Sequence, residues 1–283
     1  MTEITALLEE YSEEYLAPTN EEIRAITTLD AAEVARRAGC TPREAEVAAL
    51  EMGIWPLRYE RSRGTLGTEG QLGLLRSSAA VIGLGGLGGL AAELLARSGV
   101  GRLLVFDPDA YDDTNLNRQL HSTESNLGCG KAEETRKRLI DINGGIEVRA
   151  IPSRCDGDEV ALLHDVDIVL DCLDSVGDRM TLVETCKTLN KPLVHAAIAG
   201  MAGQLAVIHP GDEILKILYG SAAEERQKGV ELETGNLGPT AAALAAMQAA
   251  EAVKILSGVG TPLRGSVLFV DLYLGSAEKV DLA

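Results

Sequence analysis

Short apolar runs alternate with longer segments in which apolar residues recur at helical spacing. Such runs are typical of strands buried on both faces of a parallel sheet, and the periodic segments are typical of the helices that cover it. The alternation predicts an α/β fold with a doubly wound, mainly parallel sheet. Strands are predicted over residues 79–82, 102–106, 147–151, 167–171, 192–196, 204–209, 267–271 and 279–282, the last two forming an antiparallel edge, with helices over 90–98, 131–143, 158–164, 176–189 and 237–256.

Residues 1–56 differ from the rest of the chain, because they are acidic and contain no run that looks like a strand. We interpret them as a small helical N-terminal extension, and Pro56 marks the boundary to a domain at 57–283. Thr41, Pro42 and Glu44 predict a helix start with a capping box. A DNA-binding helix-turn-helix is one interpretation of this region. The excess of acidic over basic residues disfavours DNA binding and favours a helical appendage that packs on the main domain or binds a partner.

The first predicted strand ends in the spacing Gly83-x-Gly85-x-x-Gly88, and a helix follows at once. A strand, a glycine turn and a helix in this order are typical of the nucleotide-binding half of a Rossmann-like fold. The glycines let the backbone approach a phosphate, and the helix N-terminus offers unpaired N–H groups. Asp107 ends the next strand, at the place where an acid binds a ribose hydroxyl. We favour nucleotide binding over a merely structural turn.

Composition narrows the choice of partners. Hydrophobic residues make up 46% of the 283 residues but aromatic residues only 3%, which suits helices packed closely on a parallel sheet. The net charge of −17 argues against a nucleic-acid partner. The five scattered cysteines form no C-x-x-C pair, so neither a disulfide framework nor a zinc site is predicted. No signal peptide or membrane span is predicted either, and we expect a cytoplasmic protein.

In so acidic a chain, an anionic ligand must be held by a few well-placed cations. Arg58, Arg61 and Arg63 precede the glycine turn, and surface arginines are the plain alternative interpretation. Arg118 follows the second strand of the motif, and Lys131 begins a long helix. Such groups can form charge-assisted hydrogen bonds to phosphates.

A carboxylate follows the strand at 167–171, on the same edge of the sheet as the glycine turn. Asp174 is therefore predicted to bind Mg²⁺, since a nucleotide-bound Mg²⁺ takes one or two carboxylates. Asp171 is the less exposed alternative and is expected to cap the next helix. His195 and His209 lie at strand ends and are interpreted as structural, because no nucleophile lies beside them in sequence.

The ordered set of motifs resembles the ubiquitin-activating-enzyme-like family typified by the bacterial ThiF, MoeB and HesA proteins. The resemblance covers residues 57 to the C-terminus and rests on Arg58–Arg61, Gly83–Gly88, Asp107, Asn115–Gln119, Gly130–Lys131 and Asp171–Asp174. It implies an adenylyltransferase that uses ATP and Mg²⁺. The implied substrate is the C-terminal glycine carboxylate of a small ubiquitin-fold sulfur-carrier protein ending in Gly-Gly.

The resemblance also implies roles for single residues. Asp107 would bind the ribose, Arg118, Lys131 and Asn115 the triphosphate, and Asp174 the Mg²⁺. Arg61 resembles an arginine that reaches into the neighbouring subunit's site, which implies a homodimer. The implied catalytic set is Arg61, Arg118, Lys131 and Asp174, and the implied ATP contacts are Gly83, Gly85, Gly86, Leu87, Gly88, Asp107, Asp109, Asn115, Arg118, Gln119, Lys131 and Asp174.

Two departures from the family pattern limit the resemblance. Many relatives carry two C-x-x-C pairs that bind zinc, whereas residues 212–216 and the C-terminal end have no cysteine here. We therefore predict a variant without zinc. Many relatives also carry a cysteine before the last long helix, and Glu231–Gly238 has none. Adenylation stays the prediction, and a thioester or persulfide step is not implied.

Three other functions are compatible with parts of this pattern. A nicotinamide-dependent oxidoreductase would use the glycine turn and Asp107, but it would leave Arg61, Arg118, Lys131 and Asp174 without a role. A relative that activates another carboxylate, such as that of a modified tRNA base, is disfavoured by the acidic surface. A non-catalytic binding subunit is disfavoured because every implied ATP contact is retained.

Overall fold

The computed structural model describes residues 3–220 and 231–282. Its helices are α1 (Glu3–Tyr11), α2 (Thr28–Ala38), α3 (Pro42–Glu51), α4 (Arg63–Arg76), α5 (Gly88–Ser98), α6 (Lys131–Ile142), α7 (Val176–Thr188), α8 (Ile214–Tyr219), α9 (Glu231–Thr234) and α10 (Gly238–Ser257). Its strands are β1 (Glu13–Leu16), β2 (Glu22–Ile26), β3 (Trp55–Pro56), β4 (Ser78–Ile82), β5 (Arg102–Phe106), β6 (Glu147–Ile151), β7 (Ile168–Asp171), β8 (Leu193–Ala199), β9 (Ala202–Ile208), β10 (Ser266–Asp271) and β11 (Ser276–Asp281).

The main sheet has eight strands in the order β11-β10-β9-β8-β7-β4-β5-β6. Strands β4 to β8 are parallel, whereas β9, β10 and β11 pair antiparallel. The predicted mixed sheet with an antiparallel edge is therefore confirmed. The strand order reverses at β4, which lies between β5 and β7, and open α/β sheets bind ligands at such a point.

Helices cover both faces of this sheet. On one face, α10 packs against α4, α5 and strands β7 to β9. The apolar side chains between these elements form a core that is rich in alanine, valine and leucine. On the other face, a second core joins Ile82, Val169 and Ile208 of the strands to Leu182 of α7 and Leu215 of α8. The sheet is thus buried on both sides, as the continuous apolar runs predict.

The N-terminal region contains more than the predicted helices. Strands β1, β2 and β3 form a separate three-stranded sheet, so the expectation that residues 1–56 contain no strand is wrong. The predicted capping box of α3 is present, with Thr41 and Glu44 bonded to each other's backbone N–H groups. Trp55 and Tyr59 share a core with Leu75 of α4, so the predicted boundary at Pro56 is crossed by buried contacts. The division at this residue stays a prediction.

The connection between β9 and α10 contains α8 and α9, and its residues 221–230 lie outside the described residues. Across 3–220 and 231–282, no helix is both long enough and apolar enough to cross a lipid bilayer.

Candidate active site

A cavity of about 720 Å³ lies at the carboxyl ends of β4, β5, β7 and β8. One end, which we call the glycine-loop end, is lined by Gly83, Gly85, Gly86, Leu87, Asp107, Asp109, Arg118, Gln119, Lys131 and Asp174. The other, which we call the hairpin end, is lined by Ala197, Ile198, Ala199, Ala202, Gly203, Gln204, Tyr219, Asn236 and Phe269. The cavity is within the size range of ligand sites in proteins.

Packing requires glycine at two positions of the glycine turn. Gly83 has a φ of 90°, and a Cβ there would lie 2.8 Å from the carbonyl oxygen of Cys172. A Cβ on Gly88 would lie 1.8 Å from the carbonyl oxygen of Gly83. The backbone can therefore fold tightly between β4 and α5 only without these side chains. The turn brings the N-terminus of α5 to the cavity.

Asp107 is fixed by the glycine turn that it faces. Its Oδ2 accepts the Leu84 N–H at 2.7 Å, and its Oδ1 accepts the Asp109 N–H at 2.9 Å. Burial raises the pKa of this carboxyl, and the two backbone N–H groups oppose that rise. The carboxylate is therefore oriented before any ligand binds, and each oxygen keeps a lone pair for a hydroxyl donor.

Two cations line the glycine-loop end. Lys131 is largely buried, and its Nζ lies 3.3 Å from Oδ2 of Asp109. Arg118 is half-buried and donates from Nη1 to the carbonyl oxygen of Thr114 at 2.7 Å. Beside them, Oε1 of Gln119 is buried and has no hydrogen-bond partner within the described part of the chain. A buried acceptor without a partner is the kind of group that a ligand can satisfy.

Asp174 also lines the glycine-loop end, and its side chain is exposed. Among residues 3–220 and 231–282 its carboxylate makes no hydrogen bond or ion pair, and no cluster of three or more His, Cys, Asp or Glu side chains could hold a metal ion. A carboxylate that has no protein partner suits a Mg²⁺ ion bound to nucleotide phosphates. In such sites the protein usually supplies only one or two carboxylate ligands, and phosphate oxygens and water supply the others. The donor set thus fits the implied cation.

Three predicted site residues do not line this cavity. Gly88 is buried behind the turn that it allows. Asn115 is buried in its own loop, where Nδ2 donates to Oδ1 of Asp112 at 2.9 Å. The side chain of Arg61 is 83% exposed, and its Nε lies 3.7 Å from Oε2 of Glu60. Within residues 3–220 and 231–282, Arg61 therefore does not contribute to the cavity of its own chain.

Behind the hairpin end lies a buried polar cluster. Oδ2 of Asp171 is 2.7 Å from Nδ1 of His195 and 3.2 Å from Nη1 of Arg179. Burial would raise the pKa of Asp171, but Arg179 and His195 outweigh it and hold that pKa below its usual value. Burial lowers the pKa of His195. The prediction that Asp171 caps the next helix is wrong, since Ser175 caps α7 by accepting from the Asp178 N–H.

Two further contacts hold the segment that leads to Asp174. Arg179 donates to the carbonyl oxygen of Leu173, and the Leu173 N–H donates to Oδ1 of Asp171. From α10, Nε2 of Gln248 donates to the carbonyl oxygens of Asp171 at 2.9 Å and Val194 at 2.8 Å. One side chain of α10 thus links the last residue of β7 to the second residue of β8.

Sequence reasoning missed the polar residues of the hairpin end. Gln204 and Tyr219 lie 15 positions apart, and Nε2 of Gln204 donates to Oη of Tyr219 at 2.8 Å. Their side chains meet because α8 folds back over the β8–β9 hairpin. No motif marks this pair. Asn236, in the connection to α10, also lines this end and was not predicted.

Comparison with known proteins identifies relatives of this chain. The sequence model described as the ThiF family matches residues 59–283. Adenylyltransferase and sulfurtransferase MOCS3 of Drosophila yakuba is 38% identical over 208 residues, covering 72% of this chain and 46% of that protein. Sulfur carrier protein ThiS adenylyltransferase of Escherichia coli K12 is 35% identical over 211 residues, covering 73% of this chain and 83% of that protein. The chain thus spans about half the length of MOCS3.

Solved structures with the same fold are more distant. E. coli MccB, in a crystal structure with ATP, is 22% identical with a TM-score of 0.63, covering 80% of this chain and 71% of that chain. PaaA is 17% identical with a TM-score of 0.65, covering 80% of this chain and 82% of that chain. At this level of identity the likeness concerns the fold alone.

Proposed function

Because the chain belongs to the ThiF family, we propose that it adenylates the C-terminal glycine carboxylate of a small ubiquitin-fold sulfur-carrier protein ending in Gly-Gly. ATP is the second substrate and pyrophosphate the product. One observation carries the proposal: the glycine turn, Arg118, Lys131 and Asp174 line a single cavity. The adenylyltransferase names of the ThiS-directed and MOCS3 relatives support the same enzyme class.

The proposed step needs alignment rather than a base. The acceptor carboxylate is ionised near neutral pH, and one of its oxygens forms a bond to the α-phosphorus. The bond from the α-phosphorus to the bridging oxygen breaks, and pyrophosphate leaves with that electron pair. Arg118 and Lys131 would offset negative charge on the phosphates as it builds. Asp107 would hold the ribose so that the α-phosphorus faces the hairpin end.

Asp174 is the residue that we assign to Mg²⁺. When bound, Mg²⁺ supplies charge neutralisation on the phosphate oxygens. Arg179 and Asp171 hold the segment before Asp174 through its backbone, which limits how far the carboxylate can move. The carboxylate is therefore available on a firmly held loop.

Arg61 has a role in this proposal only if a second copy of the chain is present. Its side chain is 83% exposed and lies outside its own cavity. We propose a homodimer in which Arg61 of each subunit completes its neighbour's site. Mixing Arg61→Ala chains with Arg118→Ala chains should restore exchange activity that neither variant has alone. One site of each mixed dimer then contains both arginines. No restoration in verified mixed dimers would contradict a shared site.

ATP–pyrophosphate exchange with Mg²⁺ tests the main proposal. Each small protein ending in Gly-Gly from the source organism is added in turn, and Arg118→Ala serves as the inactive control. Exchange that requires one carrier and is lost in the variant is the expected result. Tight Mg·ATP binding without exchange for any carrier would point to another carboxylate, such as that of a modified tRNA base. Binding of NAD in place of ATP would overturn the proposal in favour of an oxidoreductase.

A further inference from the structure

Three side chains meet in a small triangle at the hairpin end. Nε2 of Gln204 lies 2.8 Å from Oη of Tyr219 and 3.3 Å from Nε2 of His195. Oη of Tyr219 lies 3.4 Å from the same nitrogen of His195. His195 is fully buried, whereas Gln204 and Tyr219 line the cavity. A buried residue is thus in contact with two residues of the cavity wall.

The buried cluster fixes the tautomer of His195. Its Nδ1 lies 2.7 Å from Oδ2 of Asp171, which is an ionised acceptor, so Nδ1 must carry the proton. Nη1 of Arg179 also lies 3.1 Å from this Nδ1, but its two hydrogens are taken by the carbonyl oxygen of Ala196 at 2.7 Å and by Oδ2 of Asp171 at 3.2 Å. In the neutral ring, Nε2 is then an acceptor.

An acceptor at Nε2 determines which way the Gln204 amide is turned. The amide must present its NH₂ group to His195 and Tyr219, and its carbonyl oxygen therefore lies on the other side. We propose that Oε1 of Gln204 accepts a hydrogen bond from a backbone N–H of the acceptor's C-terminal segment, with His195 and Tyr219 as positioning residues. This inference rests on the proposed function and names the group in the acceptor that the hairpin end recognises.

The surroundings of Gln204 suit a main-chain partner. Ala197, Ala199, Ala202 and Gly203 at this end have no polar side-chain group, and they lie in the same lining as Ile198, Asn236 and Phe269. Gly203 itself has no room for a Cβ, which would lie 2.8 Å from the carbonyl oxygen of Ala197. Oε1 of Gln204 is a hydrogen-bond acceptor, so it would repel the carboxylate that reacts. It can instead accept from the peptide N–H that precedes this carboxylate in the acceptor chain. An extended tail of small residues meets these requirements.

Three synthetic probes isolate this contact without a carrier protein. The first is 5′-O-sulfamoyladenosine, the second bears a glycylglycyl group on the sulfamoyl nitrogen, and the third has an ester oxygen in place of the internal peptide N–H of the second. Their dissociation constants are measured by titration calorimetry on the full chain. Wild type should bind the amide probe about five- to tenfold more tightly than the ester probe, as expected for one neutral hydrogen bond.

Gln204→Leu should bind both acylated probes equally and keep the wild-type affinity for sulfamoyladenosine. Tyr219→Phe keeps the ring but removes one anchor, and we expect about half of the amide preference on a logarithmic scale to be lost. His195→Asn keeps an N–H near the Nδ1 position but removes Nε2, whereas His195→Gln restores a group at that position. His195→Gln should therefore regain part of the preference for the amide probe that His195→Asn loses. Thr181→Val, elsewhere in the cavity wall, is the matched control and should leave all three affinities unchanged.

The outcomes separate this inference from the function on which it rests. An amide preference that survives in Gln204→Leu would overturn the inference while the nucleotide site stands. Equal binding of amide and ester probes by wild type would overturn it as well. Failure of wild type to bind sulfamoyladenosine and ATP would instead overturn the proposed function. Nitrogen-15 NMR of His195 should show a proton on Nδ1, and a proton on Nε2 alone would contradict the tautomer.

Discussion

The two ends of the cavity are built from different kinds of contact. At the glycine-loop end, backbone N–H groups and a few charged side chains lie close together, and Asp107, Lys131 and Asp174 are all near strand or helix ends. At the hairpin end, most of the lining side chains are apolar, and the orientation of the Gln204 amide depends on buried residues behind it. The first end suits a ligand of fixed, highly charged chemistry. The second suits recognition of shape and of a main chain.

This difference indicates where substitutions should act. A change at the glycine-loop end removes charge from the site of reaction, so it should affect the rate. A change at the hairpin end removes one neutral hydrogen bond, so it should affect acceptor affinity by a smaller factor. Four predictions test the glycine-loop end and its support, and the probe titrations with Gln204→Leu test the hairpin end.

Arg118→Ala should have the largest effect on activity. Loss of one preorganised electrostatic partner costs about 2.7–4 kcal/mol of barrier, so exchange should fall by about 10²- to 10³-fold. Arg154→Ala is the matched control, because Arg154 also lines the cavity but its side chain is 66% exposed and paired with Asp178. Steady-state exchange kinetics with circular dichroism of both variants checks the prediction. Similar losses in the two variants would show that general charge, and not the position of Arg118, matters.

Asp174→Asn should raise the Mg²⁺ concentration needed for half-maximal exchange by at least about tenfold, since a neutral amide is a weaker ligand for a hard cation. Asp178→Asn removes a nearby carboxylate that also lines the cavity, and this variant should need nearly the same Mg²⁺ concentration as wild type. Exchange is measured across a magnesium titration at saturating ATP. An unchanged midpoint in Asp174→Asn would exclude this carboxylate as the ligand.

Gly88→Ala should destabilise the fold by about 1–3 kcal/mol or more, because the added Cβ would overlap the Gly83 carbonyl oxygen. Gly85→Ala is the comparison, since its Cβ would have Nε2 of Gln119 at 3.6 Å as its nearest neighbour. We expect Gly85→Ala to unfold with nearly the same free energy as wild type. Any loss of ATP binding in this variant would then result from a poorer approach of the backbone to the phosphates. Urea unfolding measures the free energy of unfolding of the two variants and of wild type. Equal stability would mean that the turn can open without cost.

The smallest predicted effect concerns the support of the glycine-loop end. Glu93 of α5 bonds to Arg138 of α6 and to Arg97. Burial would raise the pKa of Glu93, but the two arginines outweigh it and lower the pKa from 4.5 to about 2. A carboxyl with a depressed folded-state pKa contributes stability above its unfolded pKa and loses it as the pH falls towards the folded value.

Glu93→Gln removes this contribution. The stability difference between wild type and this variant should therefore shrink as the pH falls from about 4.5 to about 2. Urea unfolding at a series of pH values measures that difference directly. A difference that stays constant across this range would contradict the assigned ion pairs.

The strand, turn and helix that form the glycine-loop end could be predicted from the sequence because their signals are local, whereas the ligand contacts assigned to this end stay predictions. Gly83, Gly88 and Asp107 belong to one strand-turn-helix-strand unit, and each type of residue has a strong conformational or chemical preference. The same holds for the capping box at Thr41 and Glu44. In such places a few neighbouring residues determine the geometry.

Elements that depend on distant partners were missed. Strands β1 and β2 contain several exposed charged residues, so they lack the apolar alternation that marks a strand. Helix α4 is rich in glycine, which has a low helix propensity. Gly73 instead lets the helix approach the end of α10, where a Cβ would lie 2.9 Å from the carbonyl oxygen of Leu256. Gln204 and Tyr219 meet only after the sheet and α8 have formed.

The contact of Gln248 with Asp171 of β7 and Val194 of β8 has a mechanical consequence. One strand leads to Asp174 and the other continues into the hairpin end, so a single amide on α10 links the two strands that lead to the two ends of the cavity. Successive residues of an α-helix are about 100° apart around its axis. A turn of α10 by a single register step would therefore withdraw that amide from both strands. In the proposed reaction, the alignment of the α-phosphorus with the acceptor carboxylate would thus depend on the rotational setting of one helix, although that helix need not contact either reactant.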